Sequence, residues 1–243
     1  MKSALVMSVK QAGLYLAATL LMITSCKKDS DPPDTTIVSE EEAVEVITAG
    51  ISAETGGLAE QTTSAARVAG VSARILCGQT IDTTYSGQNI PGATVTYNYN
   101  VHINRSLLCN AGIPQTFNFA LDGRMIYATP RMSSDDQTIA SFAIGGFQPG
   151  SSVYTFVQEY ERNGIQQSKV RQHRSFSSKL VIRSTDVKVD KTTMKIISGT
   201  ASVQFSGTIT GGRSVDYSAT LTFLGDRKGL LTLGNGNTYA IQW

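Results

Sequence analysis

Thr94-Val95-Thr96-Tyr97-Asn98-Tyr99-Asn100-Val101-His102-Ile103-Asn104 decides the fold class. Val95, Tyr97, Tyr99, Val101 and Ile103 alternate without a break with Thr, Asn and His. A period of two puts the apolar set on one face of a β-strand and the polar set on the other. Outward from this strand the same pattern recurs at Phe117, Phe119 and Leu121, at Tyr154, Phe156 and Tyr160, at Val203, Phe205 and Ile209, and from Val215 to Phe223. Asp122-Gly123, Pro149-Gly150, Asn163-Gly164, Gly211-Gly212, Gly225-Asp226 and Asn235-Gly236 read as the turns between strands. Short connections between alternating segments predict an antiparallel meander of about nine to eleven strands over 71–243. A sheet that large curls, closes or splits, so the fold is mainly β, strongly curved or two-layered.

Before the strands the period changes. Ser39-Glu40-Glu41-Glu42 has the form of a capping box. Val44, Ile47, Ile51 and Leu58 follow at helical spacing, interrupted by Gly50, Gly56 and Gly57. Residues 38–70 are therefore expected to form a helix, a break and a second short helix, packed by their apolar stripe on the β domain.

The first 25 residues read as a targeting segment. Lys2 and Lys10 precede an uncharged run from Ala12 to Ile23. Twelve residues are too few for a bilayer core that needs about 20, and they fit the apolar region of a signal peptide. Leu21-Met22-Ile23-Thr24-Ser25-Cys26 resembles a bacterial lipobox. That resemblance implies cleavage before Cys26, diacylglycerol on its sulfur and a membrane held through this anchor. Residues 26–37, polar and Pro-containing, read as a linker.

Composition narrows the function classes. Of 243 residues 41% are hydrophobic and 16% charged, well below the usual charged share of about 25%. A coiled coil or a charge-rich disordered tail would need more charge. Without Lys2 and Lys10, 21 − 2 = 19 bases face 19 acids. Nine acids and no base lie between Asp29 and Ala66, while 17 bases and 10 acids follow from Arg67. The bases are spread rather than gathered on one element, so no nucleic-acid partner is expected.

Cys77-Gly78, Ser106-Leu107-Leu108-Cys109-Asn110, Asp190-Lys191-Thr192-Thr193 and Ala219-Thr220-Leu221-Thr222-Phe223-Leu224-Gly225-Asp226 resemble a group of Bacteroidota lipoproteins. Their shared plan is a lipobox, an acidic helical segment and a Thr-rich β-meander. The resemblance implies fold and an envelope location, at the outer membrane. The group has no assigned activity, so no catalytic residue carries over.

Chemistry-bearing residues are few. With Cys26 lipidated, Cys77 and Cys109 form an even pair in an exported domain, which reads as a disulfide. It would close 109 − 77 = 32 positions, worth roughly 3–4 kcal/mol in the chain-entropy account. His102 lies among Asn and Thr, and Lys169, Arg171 and His173 read as one solvated strand face, so no metal site is expected. Asp135-Asp136 reads as a turn and Glu159 and Glu161 as one strand, with nothing to perturb them; no nucleophile elbow or phosphate loop is present. Asp34-Thr35-Thr36 and Asp82-Thr83-Thr84 resemble short O-glycan acceptors. Trp243 after Tyr239 and Ile241 resembles the terminal signal of outer-membrane barrels, against a simpler role anchoring the last strand.

The expectation is a lipid-anchored envelope protein without catalytic activity or cofactor, with an envelope protein or a glycan as its partner. The alternative is a carrier of lipid or another hydrophobic ligand, like the LolB-type lipoproteins whose curved sheet wraps a helix around an apolar cavity. A large cavity would favour the carrier, a filled core the interaction module, and a clefted pair of perturbed carboxylates an enzyme.

Overall fold

The computed structural model describes residues 36–71, 77–90, 92–171 and 173–243. The signal segment 1–25, the lipidation position Cys26 and most of the linker lie outside them.

The helical segment is a pair. Helix α1 spans Glu40–Ile51 and α2 spans Leu58–Gly70, with one 3-10 turn at Ala53–Thr55 between them. Ser39 accepts from the Glu42 amide and the Glu42 carboxylate accepts from the Ser39 amide, so the capping box is formed. The break falls at the glycines. Gly56 takes a left-handed conformation that closes the 3-10 turn, and a Cβ on Gly57 would meet the Gly50 and Ser52 carbonyls at 2.6 Å.

Ten strands follow in one antiparallel sheet whose spatial order is the sequence order. They are β1 Thr80–Gln88, β2 Thr96–Asn110, β3 Ile113–Ala128, β4 Met132–Gly145, β5 Val153–Ser168, β6 Ser175–Asp190, β7 Ile196–Ile209, β8 Ser214–Gly225, β9 Lys228–Leu233 and β10 Thr238–Gln242. β1 and β10 do not pair with each other, so the sheet is open. Trp243, just past β10, is buried edge-to-face on Phe223 at 5.5 Å, as a strand anchor would be.

The sheet is strongly curved, and α1 shows why it must be. Glu40 accepts from the Tyr239 hydroxyl of β10 at 2.5 Å, while Glu45 pairs with Arg131, between β3 and β4. In a flat sheet those strands would stand about 29–34 Å apart. The two glutamates are separated by about 7.5 Å of helix. Only a sheet wrapped around the helix brings both partners within reach.

Two glycines explain part of the wrapping and correct the turn assignment. Asp122-Gly123 lies inside β3 and Asn163-Gly164 inside β5, rather than at turns. Gly123 has φ +155, and a Cβ there would come 2.2 Å from the Asn100 carbonyl of β2; at Gly164 it would come 2.1 Å from the Asp135 carbonyl of β4. Glycine here lets neighbouring backbones close in where the sheet bends. Asp135-Asp136 accordingly sits in β4, not in a turn. Conversely, Lys169, Arg171 and His173 form the connection between β5 and β6 rather than a strand face, with Arg171 and His173 at positive φ.

Val44, Ile47, Ile51 and Leu58 fill the concave side together with Phe117, Phe119, Phe142, Phe156, Phe205 and Leu221. Charge helps the docking. Glu42 is 1% exposed and bonds Arg174 at 2.6 Å, and Glu40 also accepts from Asn235 and Asn237 at 2.7 Å. The acid-rich helix and the base-rich sheet thus meet in specific pairs rather than as diffuse fields.

Candidate functional site

The helical pair leaves part of the concave face bare. Along the inward side of β2, Tyr97 and Tyr99 are only half-buried, whereas Val101 and Leu107 on the same face are buried. Between this stretch and α2 lies a cleft of about 230 Å³. Tyr85 of β1, Tyr97, Tyr99, Val101, Ile103 and Arg105 of β2, and Phe119 and Met125 of β3 make one wall. Gly56, Glu60, Gln61, Ser64 and Val68 make the other.

Register places these side chains. Odd-numbered residues of β2 point inward, so Tyr97, Tyr99 and Arg105 share a face. Tyr99 stands opposite Gly87, where a Cβ would lie 2.8 Å from the Tyr99 hydroxyl; glycine opens the room that the ring takes. The Tyr97 and Tyr99 rings are nearly parallel, 18° apart with centroids at 6.1 Å. Burial, and then the Glu60 carboxylate, push the Tyr97 phenol above its ordinary value. Arg105 donates through Nη2 to the Thr83 hydroxyl at 3.2 Å. Its Nε is shut off from solvent and has no partner among the described residues. Thr83, within one of the Asp-Thr-Thr stretches, is thereby engaged on the inner face.

Behind the cleft floor is a second polar cluster. Arg162 is 2% exposed, its guanidinium 5.3 Å from the Tyr127 ring centroid and 5.7 Å from that of Tyr160. It donates to the Tyr160 hydroxyl at 2.6 Å and the Thr55 carbonyl at 2.8 Å, with Asp136 at 3.9 Å. Asp136 accepts from Gln166 at 2.9 Å. Burial pushes the Asp136 carboxyl up, with Arg162 pulling the other way. Burial alone would lower Arg162, but Tyr160, Asp136 and Tyr127 outweigh it and raise it. The sequence reading of Asp135, Asp136 and Glu159 as unperturbed is thus corrected: burial raises Asp136, while Arg124 lowers Asp135 and Arg183 lowers Glu159. Asp135 points outward and binds Arg124 at 2.7 Å, which holds its carboxyl below the usual value. The two carboxylates lie on opposite faces and do not form one site.

The remaining candidates sort as follows. Cys77 and Cys109 are bonded, with Cα atoms 5.6 Å apart, and tie the entry to β1 onto the end of β2. His102 faces outward between Asp82 at 3.3 Å and Asp122 at 3.4 Å, acids that the sheet brings from β1 and β3. Among the described residues no group of three His, Cys, Asp or Glu is arranged to hold a metal ion. Glu159 and Glu161 pair with Arg183 and Lys179 at 2.6 and 2.8 Å on the outer face. Among the same residues no helix is long and apolar enough to cross a membrane.

Arg105, Arg162 and Asp136 were missed as site residues. Each carried a signal: a charged residue in phase with the apolar alternation of its own strand. Arg105 follows Val101 and Ile103 at even spacing, Arg162 follows Tyr160, and Asp136 precedes Ala140 and Phe142. Comparison with protein-family models, with curated proteins and with solved structures finds no match.

Proposed function

We propose that this chain is a lipid-anchored binding module of the bacterial envelope, held at the membrane through Cys26, whose open cleft between α2 and β1–β3 receives a small partner group. The observation that carries the reading is the contrast between that cleft and the rest of the concave face. Under the helical pair the curve is filled by Ile47, Ile51 and Leu58, each 0% exposed, and the depression of about 310 Å³ beside α1 is bordered by Glu45, Thr48 and Arg131 without a cluster of aromatic rings. At β1–β3 three tyrosines and Arg105 remain accessible around an unfilled volume. A mostly apolar concavity with a few convergent polar groups is the common form of a small-ligand site.

Two features weigh against the other readings. The carrier reading needs an enclosed apolar volume for acyl chains, whereas Ile47, Ile51, Leu58 and Phe156 fill the curve, each 0% exposed; the larger depression of about 790 Å³ lies on the outer face among Ser141, Glu159, Arg183 and Thr200. The enzyme reading needs a paired acid and base that substrate can reach; Asp136, Tyr127, Tyr160 and Arg162 are at most 2% exposed, and the perturbed Tyr97 of the cleft is a single raised phenol. The lipobox-like Cys26 and the resemblance to Bacteroidota lipoproteins support the anchor.

The test is membrane fractionation with metabolic lipid labelling and intact mass of the full chain, beside Cys26→Ser. A labelled product starting at Cys26, lost in the variant, is expected. An unlabelled product cleaved elsewhere would remove the anchor. Chemical cross-linking in cells from a photoreactive residue at Tyr85, on the cleft rim, tests the module; labelling of the same species from a residue at Ile139, on the outer face, would remove the cleft from the reading.

A further inference from the structure

We propose that the cleft binds a saccharide ring carrying a carboxylate, with Tyr97 and Tyr99 as the stacking platform and Arg105 as the anion-binding residue. The inference rests on the binding-module reading and names its ligand class.

The donor set defines the ligand. Arg105 presents a cation at the cleft wall with no carboxylate within ion-pair distance among the described residues; its bond at hand is to the Thr83 hydroxyl. Its Nε is shut off from solvent, and its Nη1 makes no hydrogen bond to the described residues while not being sealed in, so Nη1 is the donor a charged acceptor can reach. Guanidinium and carboxylate match in a planar, two-point fashion, which makes a carboxylate the fitting acceptor.

The wall beside Arg105 defines the rest. The Tyr97 and Tyr99 rings stand near-parallel, 6.1 Å apart, and line the cleft, so the aromatic surface they present can take the face of a sugar ring. Their hydroxyls, and that of Tyr85, make no hydrogen bond to the described residues, and so stay open to a ligand. On the facing wall Ser64 donates to Glu60 at 3.1 Å and Gln61 to the Gly56 carbonyl at 3.2 Å, so the remaining lone pairs of Glu60 and Gln61 are left to accept from sugar hydroxyls, with the acidic end of the ligand placed at Arg105, away from Glu60. The ligand must therefore be flat and apolar on its faces, hydroxylated at its edges and acidic at one end. A lipid chain lacks the edge hydroxyls, and a peptide lacks a ring with several hydroxyls around its edge. The cleft volume of about 230 Å³ takes one such unit, with the partly open mouth leaving room for the chain to continue.

The experiment uses the full lipidated protein in phosphatidylcholine nanodiscs. The probes are a hexuronic-acid oligosaccharide, its carboxyl-reduced neutral counterpart, and indole, a planar ring without carboxylate or sugar hydroxyls. Calorimetry and saturation-transfer NMR read the binding. The acidic saccharide is expected to bind about ten- to a hundred-fold more tightly than the reduced one. Arg105→Gln should abolish that difference, and Tyr99→Leu should weaken both saccharides about three- to ten-fold. His102→Ala, on the outer face, should change neither. Equal binding of the two saccharides, or a preference that survives Arg105→Gln, would overturn the proposal. So would indole binding that Tyr99→Leu removes while neither saccharide binds, although the binding-module reading would stand. Absence of binding by all three probes would remove both.

Discussion

The guanidinium of Arg162, on β5, donates through Nη2 to the backbone carbonyl of Thr55 at 2.8 Å, joining residues 107 apart in sequence. The same guanidinium reaches the Ala49 carbonyl in the last turn of α1 at 3.5 Å. That turn has no basic residue of its own. The strand thus supplies the cation that the negative end of the helix calls for, and it satisfies carbonyls that a helix end leaves open. Because Gly56 follows Thr55 and lines the cleft, the contact also sets the cleft rim.

Removing one member of this cluster should be costly and removing two less so. Arg162→Met removes the cation beside Asp136 and the donor to the Thr55 carbonyl in the core, and should lose about 3–5 kcal/mol. Asp136→Leu alone leaves a buried cation and should cost a similar amount. The double variant should lose clearly less than the sum, since a buried pair replaced by apolar groups is often tolerated. Urea titrations of the four proteins check this; simple additivity would show that the two residues do not act together.

Acid should loosen the helical pair before it unfolds the sheet. Burial pushes the Glu42 carboxyl up, but the bonds from Arg174 and Ser39 outweigh it and hold it below 4.5. The Tyr239 hydroxyl, with Asn237 and Asn235, likewise holds Glu40 below 4.5. Groups depressed in the folded state stabilise it above their unfolded pKa, and that stability is lost as pH falls through the folded value. Asp136, raised by burial, works in the opposite sense. Amide exchange in α1 should therefore rise as pH drops below about 4.5, and Glu42→Gln should flatten the rise. An α1 exchange profile unchanged by Glu42→Gln would count against the ion pair as the dock.

The glycines inside strands should be far less replaceable than those in turns. Gly123→Ala forces a Cβ to within 2.2 Å of a β2 carbonyl and should cost about 2–3 kcal/mol. Gly150→Ala, at φ +84 in a turn with open space around it, should cost about 1 kcal/mol. Thermal or urea unfolding of both variants decides; equal losses would mean that curvature does not depend on close approach at Gly123.

Removing the Cys77–Cys109 bond frees a loop of 32 positions and should lower stability by roughly 3–4 kcal/mol. The loss should centre on the edge strand β1, which pairs only with β2. Amide exchange of the Cys77→Ala/Cys109→Ala variant should quicken first between Thr80 and Gln88. Uniform quickening across all ten strands would assign the bond a global rather than an edge role.

Much of the architecture was legible because it depends on local chemistry. The alternation from Val95 to Ile103 specifies a strand with two unlike faces wherever it sits. The capping box at Ser39 and Glu42 needs only four neighbouring residues. The glycines from Gly50 to Gly57 interrupt a helix regardless of what packs on it. Gly150, Gly212 and Gly236 punctuate hairpins for the same reason. The two failures, Gly123 and Gly164, look identical to turn glycines along the chain. What separates them is a neighbouring strand's backbone about 2 Å from a Cβ that is not there.

The site divides along the same line. By itself the sequence determined that Tyr97 and Tyr99 share one face of β2, and that Arg105 continues their spacing, because side-chain direction in a strand follows from position alone; that Asp136 and Arg162 belong to strands at all came from the structure. Whether such an inward charge is sealed in a core or exposed in a cleft depends on what covers it. Only the tertiary structure decided that. Curvature of the sheet and the lengths of α1 and α2 leave β1–β3 partly bare while burying Arg162 beneath Thr55. The helical pair is too short to cover ten strands, so the same inward chemistry becomes a structural clamp at β5 and an open site at β2.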